Sequence, residues 1–294
     1  MFRIIPVFLF VLFSCSEKSI LVTSQSNHGL KTDRIISAAP SITEIIAGLG
    51  LADKLIATDK YSRELEEVRN DLPEIDFFYP DIEAIAALKP DIIILGEINT
   101  NGAVDTQFDF FRQLDIAVIR IPTSNSINDI YSDIVRIADA LGIPEKGAEL
   151  VLHMQNSIAE VSQSAAQQNT ELYKISPAGK PGVYFEITPA PYLVSFGRGT
   201  YLDELIEIIG AQNIFSAEKR WFTPGVEAII SANPDVIFIL NGISDIEEIK
   251  NRTGFQSINA VRQNRIYTIN ANHASRPSQN IVLALEEMYN AVWQ

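Results

Sequence analysis

Continuous apolar runs alternate along this chain with stretches whose apolar positions recur every three or four residues. Pro80–Leu95 and Pro224–Ile239 follow one grammar at a fixed offset of 144 residues, which carries Glu83 onto Glu227, Pro90 onto Pro234 and Asp91 onto Asp235. In each copy a proline opens a short helix and a Pro-Asp turn stops it. An apolar run then follows, Ile92-Ile93-Ile94-Leu95 or Val236-Ile237-Phe238-Ile239, of the kind a parallel strand covered on both faces needs. A second pair of segments repeats at the level of architecture. Arg34–Ala39 reads as a buried strand, and a helix then starts at Pro40-Ser41 with Ile42, Ile45, Ile46 and Leu49 on one face and Gly50 at its end. Ser41, with Glu44 three residues on, predicts a capping box. In the later half, Val183–Ile187 is the strand, and Leu202, Leu205, Ile206 and Ile209 form the helical stripe that ends at Gly210.

Between the halves, Val151, Met154, Ile158 and Val161 recur at helical spacing from Pro144 to about Ala166. Pro144 and Glu145 suit the first turn of such a helix, which would be roughly 30 to 35 Å long. The expected architecture is α/β. Two lobes of parallel-type sheets flanked by helices, residues 33–143 and 169–294, are joined by a bridging helix over 144–168, with a ligand cleft between them. Asn169–Pro181 reads as a loop entering the second lobe. A helical bridge is stiff, so large hinge closure is not expected.

The start of the chain has its own pattern. After Arg3, Ile4–Phe13 is almost unbrokenly apolar, too short for the twenty or so residues that span a bilayer but suited to a signal peptide over 1–14. Leu12-Phe13-Ser14-Cys15 resembles the lipobox of bacterial lipoproteins, with Phe13 bulkier than that motif usually carries. The resemblance makes Cys15 the lipidation site. Residues 15–32 are then expected to form a flexible tether, and the protein is expected to be exported and held to a bacterial membrane, facing the periplasm or the cell exterior. Cys15 is the only cysteine, which leaves no internal disulfide and no cysteine metal knuckle. A formal charge of −14 and a pI near 4.7 argue against nucleic acid or anionic lipid as partner.

Two α/β lobes joined by one long helix, with Ile35-Ile36-Ser37-Ala38-Ala39-Pro40-Ser41-Ile42-Thr43-Glu44 near the start, resemble the cobalamin- and iron-chelate-binding proteins of ABC importers. The segment from Ile82-Glu83 to Pro90-Asp91, its counterpart around Glu227, and Arg276-Pro277-Ser278 ahead of the last helix carry the likeness. It spans roughly residues 33 to 293. It implies a substrate-binding lipoprotein that delivers a small-molecule metal chelate to an ABC permease dimer with its ATPase subunits. It further implies that Glu83 and Glu227 meet permease arginines, and that Trp221 helps to sandwich a flat macrocycle. Phe77 holds the matching first-lobe position.

Aromatic residues crowd the expected rims: Tyr61, Phe77, Phe78 and Tyr79 in the first lobe, and Phe185, Tyr192, Phe196, Trp221 and Phe222 in the second. Phe185, and one of Phe77 and Phe78, are expected to pack the core instead. His273 is a candidate axial ligand or hydrogen-bond donor and Tyr79 a candidate phenolate ligand, with lining the wall as the alternative for both. Arg276 either pairs with an anionic chelate or caps the approach to the last helix. For Glu83 and Glu227 the alternative is local, a carboxylate at the positive end of a helix. Gly48-Leu49-Gly50 and Gly197-Arg198-Gly199-Thr200 satisfy no nucleotide-binding pattern, and no catalytic triad is evident, so no enzyme and no required cofactor are expected. The preferred ligand is a corrinoid such as cobalamin, with a ferric siderophore or haem as the alternative. A structural surface lipoprotein is the remaining reading.

Overall fold

The computed structural model describes residues 32–97, 103–175 and 179–294. The signal segment, Cys15 and the tether before Thr32 lie outside the described residues. In the first lobe, β1 (Ile35–Ser37), β2 (Leu55–Ala57), β3 (Ile92–Gly96) and β4 (Ala117–Ile121) form a parallel sheet in the order β2-β1-β3-β4. Its helices are α1 (Pro40–Gly48), α2 (Ile82–Ala87), α3 (Ala103–Arg112) and α4 (Ile127–Ala140). The long helix α5 (Pro144–Ile175) follows. The second lobe holds β5 (Gly182–Glu186), β6 (Ser195–Phe196), β7 (Gln212–Asn213), β8 (Trp221–Phe222), β9 (Val236–Leu240) and β10 (Ile266–Ile269). Four of these make a parallel sheet ordered β10-β9-β5-β7, while β6 and β8 form a separate antiparallel ribbon. The helices here are α6 (Tyr201–Ile208), α7 (Val226–Ala232), α8 (Ile246–Asn251), α9 (Asn259–Arg262), α10 (Ala271–Ser275) and α11 (Ile281–Trp293).

The internal repeat is visible in side-chain and backbone detail. Lys89 and Asn233, 144 residues apart, both end their helices in the left-handed region, at φ 49° and 47°. The aspartate of each Pro-Asp turn then pins the start of a neighbouring strand. Asp91 Oδ2 accepts from the backbone N–H of Asp33 and Arg34 at 3.1 and 3.0 Å, and Asp235 Oδ2 from that of Gly182 at 2.9 Å. Ile85 and Ile229, also equivalent, are the buried residues of the two short helices.

Because side chains alternate across a strand, each sheet divides its apolar residues between two cores. Ile36, Ile93 and Leu95 pack outward with Phe108 and Phe111, and Tyr184, Ile237 and Ile239 pack outward with Ile229 and Phe255. The opposite faces, Ile35, Ile92 and Ile94 in one lobe and Val183, Phe185 and Phe238 in the other, belong to one continuous core. Residues of α1, α4, α5, α6 and α11 fill it, including Ile45, Ile134, Met154, Val161, Leu205 and Leu285. The lobes therefore share an interior along α5.

Two sequence expectations change. Helix α5 runs seven residues beyond 168, into the first half of the expected loop, and at 1.5 Å per residue is about 48 Å long. Nothing between Ala148 and Ser176 stops it, for the next Gly or Pro is Pro177. The capping box at Ser41 is not formed: α1 begins at Pro40 with Ala39 as its cap, and no side chain closes that end. Glu44 is drawn elsewhere.

Candidate ligand cleft and docking faces

In parallel α/β sheets, ligands bind beyond the carboxyl ends of the strands. Here those ends meet across the gap between the lobes. Arg276, after β10 and α10, reaches into the first lobe. Its Nη1 donates to Glu44 Oε1 and its Nη2 to the carbonyl of Tyr61, both at 2.9 Å. Asn272 Nδ2 donates to Glu64 Oε2 at 3.2 Å, and the N–H of Ile127, at the start of α4, donates to Glu204 Oε2 of α6 at 2.9 Å. Glu44 is 2% exposed and its carboxylate also accepts from Ser278 Oγ and, at 3.0 Å, from Asn280 Nδ2. A carboxylate so buried requires a matching charge and filled lone pairs. Arg276, Ser278 and Asn280 supply both. Arg276 thus neither stands free for an anionic ligand nor caps the last helix; it is the clamp that closes the base of the cleft. Sequence reasoning missed Glu44 because Ser-x-x-Glu has a sufficient local explanation.

The rims carry the aromatics. Tyr61 lies just beyond β2 and is 58% exposed. The segment Pro73–Ile75 runs beside the extension of β2, with Ile75 N–H donating to the carbonyl of Thr58 at 2.8 Å. It carries the next three rings to the same edge. There Asp76 Oδ1 accepts from the N–H groups of Phe78 and Tyr79 at 2.8 and 3.1 Å. The turn sends Phe77 inward, where it stacks on Phe108 at 5.7 Å with 19° between the ring planes. Phe77 is therefore a core residue and not part of the rim. Phe78 and Tyr79 face solvent, Tyr79 at 85% exposure.

In the second lobe the chain leaves β5, turns through the exposed Tyr192 and enters the β6–β8 ribbon. Neighbouring residues of β8 point opposite ways. Phe222 sets an edge-to-face contact on Phe215 at 5.1 Å, in the outer core, and is half-buried. Trp221 sets its edge-to-face contact on Phe196 at 5.7 Å and stays 47% exposed. Phe196 and Phe185 are fully buried, so Phe196 joins Phe185 as support for the wall. Large rings held by their own neighbours, with a face left open, suit a flat apolar ligand.

His273 sits in helix α10, and its Nδ1 lies 2.7 Å from Glu287 Oε1. Glu287 also takes the N–H of Asn270 through its other oxygen. The second ring nitrogen of His273 has no protein partner among the described residues. The Tyr79 hydroxyl likewise has none.

Glu83 and Glu227 are exposed in the first turns of α2 and α7, and neither forms an ion pair among the described residues. Asp81 caps α2 by accepting from Ala84 N–H at 2.9 Å, so Glu83 is not needed for that work. A depression of about 440 Å³, lined by Ser162, Asn169, Lys180 and Glu207, lies against α5 at the far ends of the strands from the cleft. No helix among the described residues is long and apolar enough to cross a membrane.

The chain is similar to known proteins over most of its length. An uncharacterized ABC transporter substrate-binding lipoprotein of Bacillus subtilis is 26% identical over 88% of this chain and 80% of the relative. A vitamin B12-binding protein of Vibrio cholerae is 25% identical over 87% of each chain. Among solved structures, a possible iron-binding periplasmic solute-binding protein from Staphylococcus epidermidis superposes with a TM-score of 0.76 at 25% identity, covering 90% of this chain and all of that one. Residues 35–273 match the family described as periplasmic binding protein, more than two thirds of the sequence; with two parallel-sheet lobes on one long helix, the chain belongs to that family.

Proposed function

We propose that this protein is the substrate-binding component of an ABC importer, exported and lipid-anchored through Cys15, and that it captures a metal chelate between its lobes. The ligand of first choice is a corrinoid such as cobalamin. The observation that carries this reading is the pair of rims, with Trp221 in the β6–β8 ribbon of one lobe and Tyr61, Phe78 and Tyr79 beyond β2 of the other, all exposed. The similarity to a vitamin B12-binding protein supports the ligand class. Glu83 and Glu227, on equivalent helices of the two lobes, are the docking carboxylates in this reading, and each would meet a permease arginine. Two separated carboxylate–guanidinium contacts fix orientation as well as attraction.

A ferric siderophore or haem is the second reading. It is favoured by the burial of Phe77, which removes the ring expected opposite Trp221, and by the exposed phenol of Tyr79, an oxygen ligand suited to ferric iron. Calorimetric titration with cyanocobalamin, haemin and a ferric siderophore separates the two. For a corrinoid, Trp221→Ala costs about 2 kcal/mol, roughly thirtyfold in affinity. Tight binding of siderophore or haemin, with none of cyanocobalamin at micromolar protein, rejects the corrinoid and keeps the importer. No binding of any chelate rejects both.

A further inference from the structure

The acidic balance of the chain is reversed at one place on the cleft. The β6–β8 ribbon brings Arg198 opposite Lys219 in a backbone bridge, with Arg220 next and then Trp221. All three cations are exposed, and none has a carboxylate within ion-pair distance among the described residues. The Arg198 guanidinium is held in place, its Nη1 donating to the carbonyl of Ala217 at 2.8 Å. Arg220 takes a left-handed backbone, φ 54°, which is unfavourable for a non-glycine residue. Two bonds to the facing strand fix it there: Arg220 N–H donates to Arg198 O and Gly197 N–H to Arg220 O, each at 2.9 Å. A glycine is required at 197, because a Cβ there would meet the carbonyl oxygen of Glu218 at 2.3 Å. The local backbone thus holds three exposed cations within a few positions of the exposed Trp221, Arg220 as its chain neighbour and Lys219 bridged to Arg198. Like charges repel, and in a chain of net charge −14 carboxylates are plentiful enough to have neutralised them. Among the described residues no carboxylate pairs with any of them.

We propose that Arg198, Lys219 and Arg220 form an anion-reading ledge that binds a carboxylate or phosphate group on the periphery of the chelate whose ring face lies on Trp221. This inference rests on the chelate-binding reading above. It adds a selectivity: of two ligands with the same macrocycle, the one with the anionic group is preferred. A desolvated oxyanion is paired most strongly by such donors.

Two matched pairs of ligands test the ledge and distinguish the source of the anion. Haemin against its dimethyl ester probes the carboxylate; cyanocobalamin against dicyanocobinamide, which lacks the nucleotide phosphate, probes the phosphate. Affinities are measured at low and high salt for wild type, Arg220→Gln, Lys219→Gln/Arg220→Gln and Trp221→Ala. Arg262→Gln, on α9 at the other end of the second lobe, serves as a charge-matched control. The expected result is about tenfold tighter binding of the anionic member in at least one pair. The double variant abolishes that preference, Arg262→Gln keeps it, and Trp221→Ala weakens both members alike. Equal affinities within both pairs, or a preference that survives the double variant, overturn the ledge while leaving chelate binding intact. Failure of all four ligands to bind overturns the ledge, and the chelate reading falls with it if the ferric siderophore also fails to bind.

Discussion

Arg276 and Glu44 stand 232 residues apart in sequence and 2.9 Å apart in space. Their side chains are 9% and 1% exposed. Removing one partner of a buried pair leaves the other charged without compensation, which costs about 3 to 5 kcal/mol. Arg276→Ala is therefore expected to lower the unfolding free energy measured by urea denaturation by that amount, and a loss under 1 kcal/mol would show that the pair contributes little. A second buried acid responds to pH. Burial pushes the Asp133 carboxyl up to about 6, against the lowering effects of Ser124 and Arg136. A carboxyl whose folded pKa exceeds its unfolded value near 3.8 holds its proton more tightly when folded. Its contribution favours the folded state at low pH and is lost as pH rises from about 4 to 6. Asp133→Asn is expected to flatten the stability profile in that window, as chemical denaturation at successive pH values would reveal; an unchanged slope contradicts the assignment. At this scale the sequence told residue types well and partners poorly. Nothing local distinguishes Phe77 from Phe78, because an aspartate-centred turn decides which ring faces inward. Arg276 could not be matched to Glu44, because no periodicity connects the two lobes.

At the scale of elements, the 144-residue repeat made helix–turn–strand units legible. Their ends are set by local chemistry, the Pro-Asp turn, the left-handed Lys89 and Asn233, and the strand-pinning Asp91 and Asp235. The far end of α5 was less legible, since a polar surface stretch without Gly or Pro reads equally as helix or loop. The two short helices that carry Glu83 and Glu227 cover the outer cores, so they can contact another protein without disturbing the cleft. Glu83→Ala and Glu227→Ala are expected to leave ligand affinity within about twofold, since exposed substitutions shift energies by roughly 0.5 kcal/mol or less. Uptake into vesicles reconstituted with the permease and ATPase should fall for each, and further for the double variant. Loss of ligand binding with uptake efficiency per bound ligand unchanged would reverse the assignment.

For the whole molecule, the decisive feature is the continuous core through α1, α4, α5, α6 and α11. Opening the lobes widely would expose that apolar interior at about 25 cal/mol per Å² and would break the Glu44–Arg276 clamp. Small-angle scattering with and without bound chelate should therefore give nearly superimposable profiles; a change in radius of gyration of several ångströms would mean that the core does not bind the lobes as one body. The shared core could not be read in advance, because an apolar stripe does not say which lobe it serves. Export and anchoring belong to the same scale. Cys15→Ala should move the protein from carbonate-washed membranes to the soluble fraction, and retention in the membrane would contradict lipidation. The central claim is that this protein carries a metal chelate to an importer. Native mass spectrometry of the protein isolated from its source tests it most directly. The predicted spectrum contains a species heavier than the lipidated chain by the mass of a corrinoid, a haem or a ferric siderophore. A bound sugar, peptide or amino acid in its place would contradict the account.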